Sequence, residues 1–535
     1  MHSHKNSKLK RINCLDLYEN QSIRLSDVRV GYSGLISFAT GILMIFPGLI
    51  FTLVLTRNLS PEEYGTWSLI LGLVVYGLIL EPVISYWSTR ETARGIQSQK
   101  TSVFFGGVFS AIGATTYIVV AYFVGGQPHI DQDILFFGII LIPLMFVNRV
   151  LNAINLGWKP QLVSYATCGI EITKVVVALI LIYFLNFGVI GAIIALAVGV
   201  IISIFIQIIL ARNKFHNQIK IDFLKKWLKF SWISIYPTIN GIVARSDVIV
   251  FVIISESLIG LAIFAVAIVI SNLTSQSIAI STTAYPKLLE GKRKNFLQHN
   301  FTRLFYFGVP LAAISIVFAK PSLFALNPIY EIAFLIVMIL TIRMFFKNIN
   351  QTFNTYLLGI ETVDKDSDSS AKDFVKSDLF RIPSFHLMYQ MVYYAFLIVG
   401  LLIIKQQTNE PIDLVTYWAI VSLISDIPYA IHLYLIVRKK IALKFEFQPL
   451  AKYFLISLVV FGFAYFLTEE FLVYTENVFV FLPNLALFVG IGIGMYVSIT
   501  YLIDFRTREL VKGILKEIKN RSSSNSTSGD SSSVV

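Results

Sequence analysis

The sequence predicts an all-α polytopic membrane protein with fourteen transmembrane helices. Three observations support this fold class: long apolar runs, an alternation of basic residues between the connections, and an internal repeat. A run of about 20 apolar residues is long enough to cross the ~30 Å hydrocarbon core of a bilayer. The composition agrees, because 56% of the 535 residues are hydrophobic and only 14% are charged, whereas an average soluble protein has about 25% charged residues.

Fourteen such runs follow one another along the chain, and we number them spans 1 to 14. They begin near Leu35, Tyr64, Val103, Ile134, Leu162, Phe187, Trp227, Leu258, Leu304, Ile329, Phe385, Leu414, Leu450 and Phe479.

The basic residues predict the orientation of the spans. Of the 44 Lys and Arg residues, 35 lie in the terminal segments or in the connections that follow even-numbered spans, and three (Arg57, Lys320 and Lys405) lie in the opposite connections. Cytoplasmic segments are enriched in Lys and Arg, so both termini are predicted to be cytoplasmic, in the cell membrane. The net charge of +12 suits an anionic inner leaflet, and we expect no nucleic acid as a partner.

Spans 1–6 and spans 7–12 are predicted to be two copies of one unit. The segment Ser60–Gly65 after span 1 corresponds to Ser255–Gly260 after span 7, and Asn148–Gly157 in span 4 corresponds to Asn350–Gly359 in span 10. Both copies run in the same direction, which implies two six-helix lobes related by a pseudo-two-fold axis along the membrane normal. Spans 13 and 14 have no counterpart and are two extra C-terminal helices.

The predicted organisation therefore has six parts. They are a cytoplasmic N-terminal arm (1–34), an N-lobe (35–211), a cytoplasmic interlobe linker (212–226), a C-lobe (227–437), the extra spans 13 and 14 (438–503), and a cytoplasmic segment (504–535). In the last part, apolar residues at helical spacing among Lys and Arg predict an amphipathic helix on the inner leaflet, followed by a disordered Ser-rich tail. The two cysteines, Cys14 and Cys168, indicate neither a disulfide framework nor a metal site, and we expect no cofactor.

An ordered series of short motifs resembles the polysaccharide-flippase branch of the multidrug/oligosaccharidyl-lipid/polysaccharide exporter superfamily. The motifs are Leu59–Gly65, Arg90–Ala93, Phe187–Ala192, and Asp247 followed by Gly260 and Pro286. The likeness covers roughly the first 300 residues; later, Asn409–Asp413 stands where a second Gly-x-x-Gly-Ala turn would be expected. The resemblance implies a V-shaped, two-lobed transporter that moves lipid-linked sugars by alternating access.

Charged and polar residues inside the spans are the candidate site residues. A charge at mid-bilayer costs at least ~2.5–3.5 kcal/mol, so such residues face a cavity or a partner. Arg is suited to phosphate because it forms two parallel hydrogen bonds. The alternative is structural pairing between helices, which has about equal weight for Lys174, because Glu171 lies three residues before it. The candidates for a headgroup and its sugars are Arg149, Lys174, Arg245, Arg343, Lys347, Asn152, Gln351, Asn354 and, at the inner end of span 2, Arg90.

Three acidic residues inside the spans are candidates for ion coupling: Glu81, Glu171 and Asp247. The sequence contains no Gly-x-x-x-x-Gly-Lys-Ser/Thr motif for ATP. A transporter without an ATPase needs an ion gradient to do more than equilibrate its substrate. We therefore expect one of these carboxylates to take up H⁺ or Na⁺.

These observations favour a flippase for a polyprenyl-phosphate- or pyrophosphate-linked oligosaccharide, which is a transporter and not an enzyme. Of the possible oligomeric states, a monomer is favoured. Two alternatives stay open. A cation-coupled multidrug extruder of the same superfamily would prefer an acidic cavity. The spans contain six basic and only three acidic candidates, which argues against this alternative. A membrane glycosyltransferase would use Asp131-Gln132-Asp133 to hold a metal, but the short outer connections leave little room for an acceptor. The charge ratio does not separate polysaccharide flippases from murein-precursor flippases.

Overall fold

The computed structural model describes residues 43–127, 130–215, 218–278, 294–359, 375–408, 410–441, 447–509 and 512. Within these ranges the chain is helical apart from its connections and contains no strand, so the all-α fold class is confirmed. The predicted N-terminal arm, the motif residue Pro286, and most of the predicted amphipathic helix with its Ser-rich tail lie outside the described residues.

The described helices are compatible with fourteen spans. Eleven of them are long and apolar enough to cross a membrane, and two bent pairs bring the number to thirteen. The shorter apolar helix Leu43–Asn58 lies at the position of span 1. The bent pairs are Pro61–Gly77 with Glu81–Ala93 (span 2, 65°) and Phe301–Val317 with Ala319–Leu326 (span 9, 63°). The eleven helices are Gln99–Gly125, Gln132–Trp158, Gln161–Phe184, Gly188–Lys214, Ser234–Ser255, Leu258–Ser277, Pro328–Leu358, Asp378–Gln407, Pro411–Lys440, Gln448–Phe471 and Val478–Ile503.

Span 2 begins with a complete capping box. The Ser60 hydroxyl accepts the backbone N–H of Glu63 at 3.2 Å, and the Glu63 carboxylate accepts the backbone N–H of Ser60 at 2.8 Å. Pro61 occupies the first turn, where a missing N–H costs nothing. In the predicted repeat of this segment, Ser257 likewise begins a helix by accepting the N–H of Gly260 at 3.0 Å.

The same helix pairs pack in both halves of the chain. Span 4 packs against spans 2, 3 and 6, and span 5 packs against span 6. In the second half, span 10 packs against spans 8, 9 and 12, and span 11 packs against span 12. Such a correspondence is what a parallel repeat requires. Spans 13 and 14 pack against each other and against span 9.

The two halves touch at the end of the spans that is predicted to face outward. Span 2 approaches span 8 so closely at Gly65 that a Cβ there would stand 2.2 Å from the carbonyl oxygen of Leu258. Arg57 donates to the carbonyl oxygen of Ala325 at 2.9 Å, in the last turn of the helix Ala319–Leu326, where the helix dipole is negative. The halves are therefore closed against each other at this end.

The linker extends further than predicted. It contains a helix, Ile221–Lys229, so Trp227 lies in the linker and span 7 begins after it. The Trp227 indole is buried and donates to the Glu91 carboxylate at 3.3 Å, and Lys226 pairs with the same carboxylate at 3.2 Å. These contacts fix the linker to the C-terminal end of span 2.

Asp504, which directly follows span 14, ties that span to span 13. Its carboxylate accepts hydrogen bonds from Tyr453 at 3.0 Å, Lys452 at 3.2 Å, and the backbone and hydroxyl of Thr507 at 3.1 and 3.0 Å. Burial alone would raise the pKa of Asp504, but these hydrogen bonds together lower the pKa below its usual range. A lowered folded-state pKa stabilises the fold above the ordinary carboxyl pKa, and this contribution is lost as the pH falls.

We expect Asp504→Asn to loosen the segment that follows span 14. Hydrogen bonds to a charged group contribute about 1.5–3 kcal/mol, so trypsin cleavage after Arg506 and Arg508 is expected to be at least about fivefold faster. Mass spectrometry of the released C-terminal fragments measures this rate. Glu509→Gln changes an exposed carboxylate of the same segment and is the matched control; equal cleavage of both variants would contradict the anchoring role.

Candidate functional site

Spans 7, 10 and 12 bring together five charged residues, which we call the C-lobe cluster. Its members are Arg245, Asp247, Arg343, Lys347 and Asp426, and Lys347 lies within electrostatic reach of the other four. Four of the five are sequence-predicted candidates. Asp426 was not among them.

A tight turn at residues 244–246 interrupts the α-helix of span 7 beside the C-lobe cluster. It joins Ser231–Val243 to Asp247–Ser255, and Ser234–Ser255 continues through it as one span. The N–H groups of residues 244–246 all donate to carbonyl oxygens of the preceding turn. The carbonyl oxygen of Val243, just before the turn, also accepts a hydrogen bond from the Tyr394 hydroxyl, so span 11 contacts span 7 at this point.

Asp247 is buried and is bound by neutral donors. Its Oδ1 accepts from the backbone N–H of Val248 at 3.0 Å, and its Oδ2 accepts from the Tyr393 hydroxyl at 3.1 Å and from the Trp418 indole at 3.3 Å. These donors satisfy the carboxylate, and no cation of the described residues contacts it directly. The position of Asp247 is therefore determined by spans 11 and 12 as well as by its own helix.

Trp418 is itself held firmly. Its indole ring stacks on Phe264 with ring centres 3.5 Å apart and on Phe251 with ring centres 4.6 Å apart, and its N–H also reaches the Tyr393 hydroxyl at 3.0 Å. The ring is fully buried. Aromatic packing thus orients the donor that contacts Asp247.

Arg343 and Asp426 form an ion pair between spans 10 and 12. The Nε of Arg343 donates to the Oδ2 of Asp426 at 3.0 Å, and each side chain keeps 14% of its surface exposed. Because Asp426 is acidic and Lys229 lies in the linker helix, the predicted twofold excess of basic residues in the spans is wrong. The C-lobe cluster has three basic and two acidic members.

Span 10 presents polar residues along one side. Lys347 and Gln351 are exposed, as is Arg245 of span 7. Asn354 lies one turn further along and accepts a hydrogen bond from the Tyr429 hydroxyl at 3.3 Å. The structure therefore brings five of the predicted binding residues to one part of the C-lobe: Arg245, Arg343, Lys347, Gln351 and Asn354.

The N-lobe candidates form two separate pairs. Arg149, with a side chain that is 47% exposed, lies 3.8 Å from Glu81, which begins the second helix of bent span 2. Lys174 contacts Glu171 at 2.8 Å, and its Nζ lies 5.0 Å from the centre of the Phe51 ring. Among the residues that the structure describes, the ion pairs between candidates all lie within one lobe.

The asparagines beside Arg149 are mainly structural. Asn148 accepts a hydrogen bond from Gln207 of span 6 at 2.8 Å, and Asn155 donates to the same Gln207 at 3.0 Å. All three side chains are buried. The candidate Asn152 differs, because its buried Oδ1 has no hydrogen-bond partner within the described part of the chain.

We expect Gln207→Leu to lower the free energy of unfolding by about 1–3 kcal/mol, because two buried asparagines lose a partner. Gln351→Leu changes an exposed amide and is the matched control, with an expected effect within about 0.5 kcal/mol. Thermal unfolding of the purified variants in one detergent compares them. Equal melting temperatures would contradict the assignment of Gln207 to the core.

The end of the N-lobe that is predicted to face inward contains a cavity of about 430 Å³ that is separate from the candidate residues. Apart from Lys100 and Arg212 its walls are apolar, and the residues that line it are Lys100, Val103, Phe104, Leu151, Ile208, Arg212, Phe215 and Ile219. The candidate Arg90 lies in the last turn of the helix Glu81–Ala93 of span 2, where its guanidinium stacks on Tyr86 at 4.3 Å from the ring centre. Neither feature belongs to the C-lobe cluster.

The fold resembles solved membrane transporters. One is the inward-facing conformation of a multidrug resistance MATE family transporter of the MOP superfamily, with a TM-score of 0.56, 14% sequence identity, and coverage of 77% of this chain and 98% of that chain. The outward-facing conformation of such a transporter gives a TM-score of 0.54 with 14% identity over 78% of this chain and 96% of that chain.

A third solved structure is a MOP superfamily transporter from Pyrococcus furiosus, with a TM-score of 0.54, 15% identity, and coverage of 78% of this chain and 96% of that chain. It is described as having a binding pocket of reverse polarity that suggests a different function. No family model and no curated protein matches the sequence. The chain is thus an integral membrane protein with the fold of the MATE transporters of the MOP superfamily, the superfamily that its sequence motifs resemble.

Proposed function

We propose that this protein is a transporter that flips a polyprenyl-phosphate- or pyrophosphate-linked oligosaccharide from the cytoplasmic to the outer leaflet of the cell membrane, with both termini cytoplasmic. The observation that carries the proposal is the gathering of Arg245, Arg343 and Lys347 beside the turn in span 7. Arg245 and Lys347 are exposed although they belong to membrane-spanning helices. Charges at this depth require water or a counter-charge, and an anionic headgroup supplies the counter-charge.

Each candidate binding residue has a role in the proposed transport. Arg343 and Lys347 hold the phosphate, Arg245 adds positive charge, and Gln351 and Asn354 hydrogen-bond the sugar hydroxyls. From the N-lobe, the exposed Arg149 approaches the headgroup when the lobes close, with Lys174, Asn152 and Arg90 assisting. The lobes open alternately to the two sides, and the closed end at Gly65 corresponds to a state open towards the cytoplasm.

A multidrug extruder is the second candidate function, because the buried Asp247 and the partly buried Asp426 resemble the acidic cavity that a cationic drug needs. Both carboxylates, however, already have partners, and the exposed cations Arg245 and Lys347 repel a cationic drug. One structure with this fold is described as having a binding pocket of reverse polarity that suggests a different function. The charge of the exposed residues favours an anionic substrate.

We expect cells that lack the protein to accumulate an inward-facing lipid-linked oligosaccharide, measured by lipid extraction and a leaflet-specific assay. Wild type restores the normal distribution, whereas Arg149→Ala and Arg245→Ala do not. Lys405→Ala is the matched control, because it removes a cation paired with Glu256 at 2.9 Å outside the C-lobe cluster. Normal lipid-linked pools together with sensitivity to cationic dyes would overturn the flippase in favour of the extruder.

We further propose that an H⁺ or Na⁺ gradient drives transport through Glu81, Glu171 or Asp247. Glu81 and Glu171 each lie beside a basic residue of the same lobe, so a change of charge at either one alters how that residue interacts with the substrate. Transport into proteoliposomes is expected to depend on one gradient and on at least one of the three carboxylates. Indifference to both gradients and to all three amide substitutions would exclude coupling at these residues.

A further inference from the structure

The Arg343–Asp426 pair leaves part of the guanidinium available to a second anion. Arg343 uses only its Nε to reach Asp426, and in the described residues its two Nη groups make no hydrogen bond. The side chain also keeps some exposed surface. A guanidinium with accessible Nη groups retains the planar geometry that binds phosphate through two parallel hydrogen bonds.

Asp426 depends on Arg343, whereas Asp247 does not. Asp247 accepts hydrogen bonds from Val248, Tyr393 and Trp418. The carboxylate of Asp426 has Arg343 as its one hydrogen-bond donor among the described residues. A phosphate that binds the Nη groups of Arg343 brings negative charge beside Asp426, which repels that carboxylate from its single donor, whereas Asp247 keeps its three donors.

A released Asp426 has a second cation within reach. Lys347 lies one turn from Arg343 on the same helix, is exposed, and interacts electrostatically with Asp426. His386 of span 11 is also near Asp426, but Nδ1 of its ring contacts Asn240 at 2.7 Å and Nε2 contacts Gln390 at 3.2 Å. After displacement from Arg343, the carboxylate of Asp426 therefore still has Lys347 nearby.

We propose that Asp426 is a resident anion that occupies Arg343 while the transporter is empty, and that the phosphate of the substrate displaces it. The inference rests on the proposed function and adds a residue that determines substrate affinity. Because an unpaired buried charge is strongly unfavourable, Arg343 needs an anion in every state that reorients. Asp426 supplies it in the empty state and the substrate supplies it in the loaded state, so both forms can move between the two sides.

Isothermal titration calorimetry on the purified full chain tests this exchange, with farnesyl pyrophosphate as the probe. Asp426→Asn removes the competing anion and is expected to bind the probe about tenfold more tightly, which corresponds to about 1.4 kcal/mol. Asp426→Glu keeps a carboxylate and is expected to bind the probe close to the wild-type affinity. Glu256→Gln is the matched control, since it breaks an ion pair of similar length with Lys405 and leaves the affinity unchanged.

An infrared difference spectrum of the wild-type protein provides a second measurement that does not depend on a variant folding. Binding of the probe is expected to change an aspartate carboxylate band. The proposed exchange of Asp426 for phosphate would be overturned if wild type and Asp426→Asn bound the probe with equal affinity, or if the carboxylate region of the infrared spectrum did not change. Either result would leave the proposed function intact. A wild-type protein that does not bind the probe, or an Arg343→Gln variant that binds it as well as wild type, would overturn the proposed headgroup site itself.

Discussion

Arg343→Gln is expected to abolish flipping and to lower the free energy of unfolding by about 3–5 kcal/mol. Removal of one partner from a buried ion pair is strongly unfavourable, and here Asp426, whose side chain is mostly buried, would keep only electrostatic interaction with Lys347. Asp247 would lose its electrostatic interaction with Arg343 as well. Thermal unfolding in detergent measures the loss of stability, and the leaflet distribution of lipid-linked sugars measures the loss of flipping.

The double variant Arg343→Gln/Asp426→Asn separates the two effects. It replaces the ion pair by two neutral amides, so most of the lost stability should return, because exchange of both partners of a buried pair is often nearly neutral. Flipping should stay absent, because the cation for the phosphate is still missing. Lys405→Gln is the stability control, since an exposed pair contributes about 0–1 kcal/mol. Recovery of flipping in the double variant would contradict the assignment of Arg343 to the headgroup site.

Gly65→Ala is expected to prevent the two lobes from closing at the outer end. The new methyl group would stand 2.2 Å from the backbone oxygen of Leu258, and backbone atoms cannot rotate away as a side chain does. Overpacking of this kind costs about 1–3 kcal/mol, which acts against the closed state alone. The population therefore shifts towards the outward-open state, and flipping is expected to fall at least about tenfold.

Cysteine accessibility measures this shift. Thr56 is fully buried at the contact between the lobes, so Thr56→Cys, in a background without Cys14 and Cys168, is expected to resist a membrane-impermeant maleimide. Adding Gly65→Ala should expose it to the reagent. Gly107→Ala is the matched control, because a Cβ there meets nothing within 4 Å. Labelling that is the same in both glycine variants would contradict the closed contact.

The spans could be predicted from the sequence because hydropathy and capping are local properties. Apolar runs and the Ser60 capping box lie within short stretches of chain. The turn within span 7 was not predicted, since the tertiary contact at Val243 that accompanies it comes from Tyr394, 151 residues away. The bend in span 2 lies just before Pro82, but proline in the first turn of a helix is also common in straight spans.

The candidate site was predicted in part. Charged residues in apolar runs identified four members of the C-lobe cluster, and the same signal is present at Asp426, the one charge between Leu423 and Tyr429. Which charges pair depends on the packing of spans far apart in the chain; Arg343 and Asp426 are 83 residues apart. For the same reason, the sequence did not show that Asn148 and Asn155 share Gln207 as their partner.

The packing around Trp418 gives the protein a built-in optical reporter. Six tryptophans are present in the chain, and this one is fully buried, stacked on two phenylalanines and hydrogen-bonded to the carboxylate of Asp247, just after the turn in span 7. The emission of an indole responds to the charge and polarity beside it. Rearrangement of span 7, or neutralisation of Asp247, therefore changes the fluorescence of Trp418, so the transport cycle can be followed in unlabelled protein.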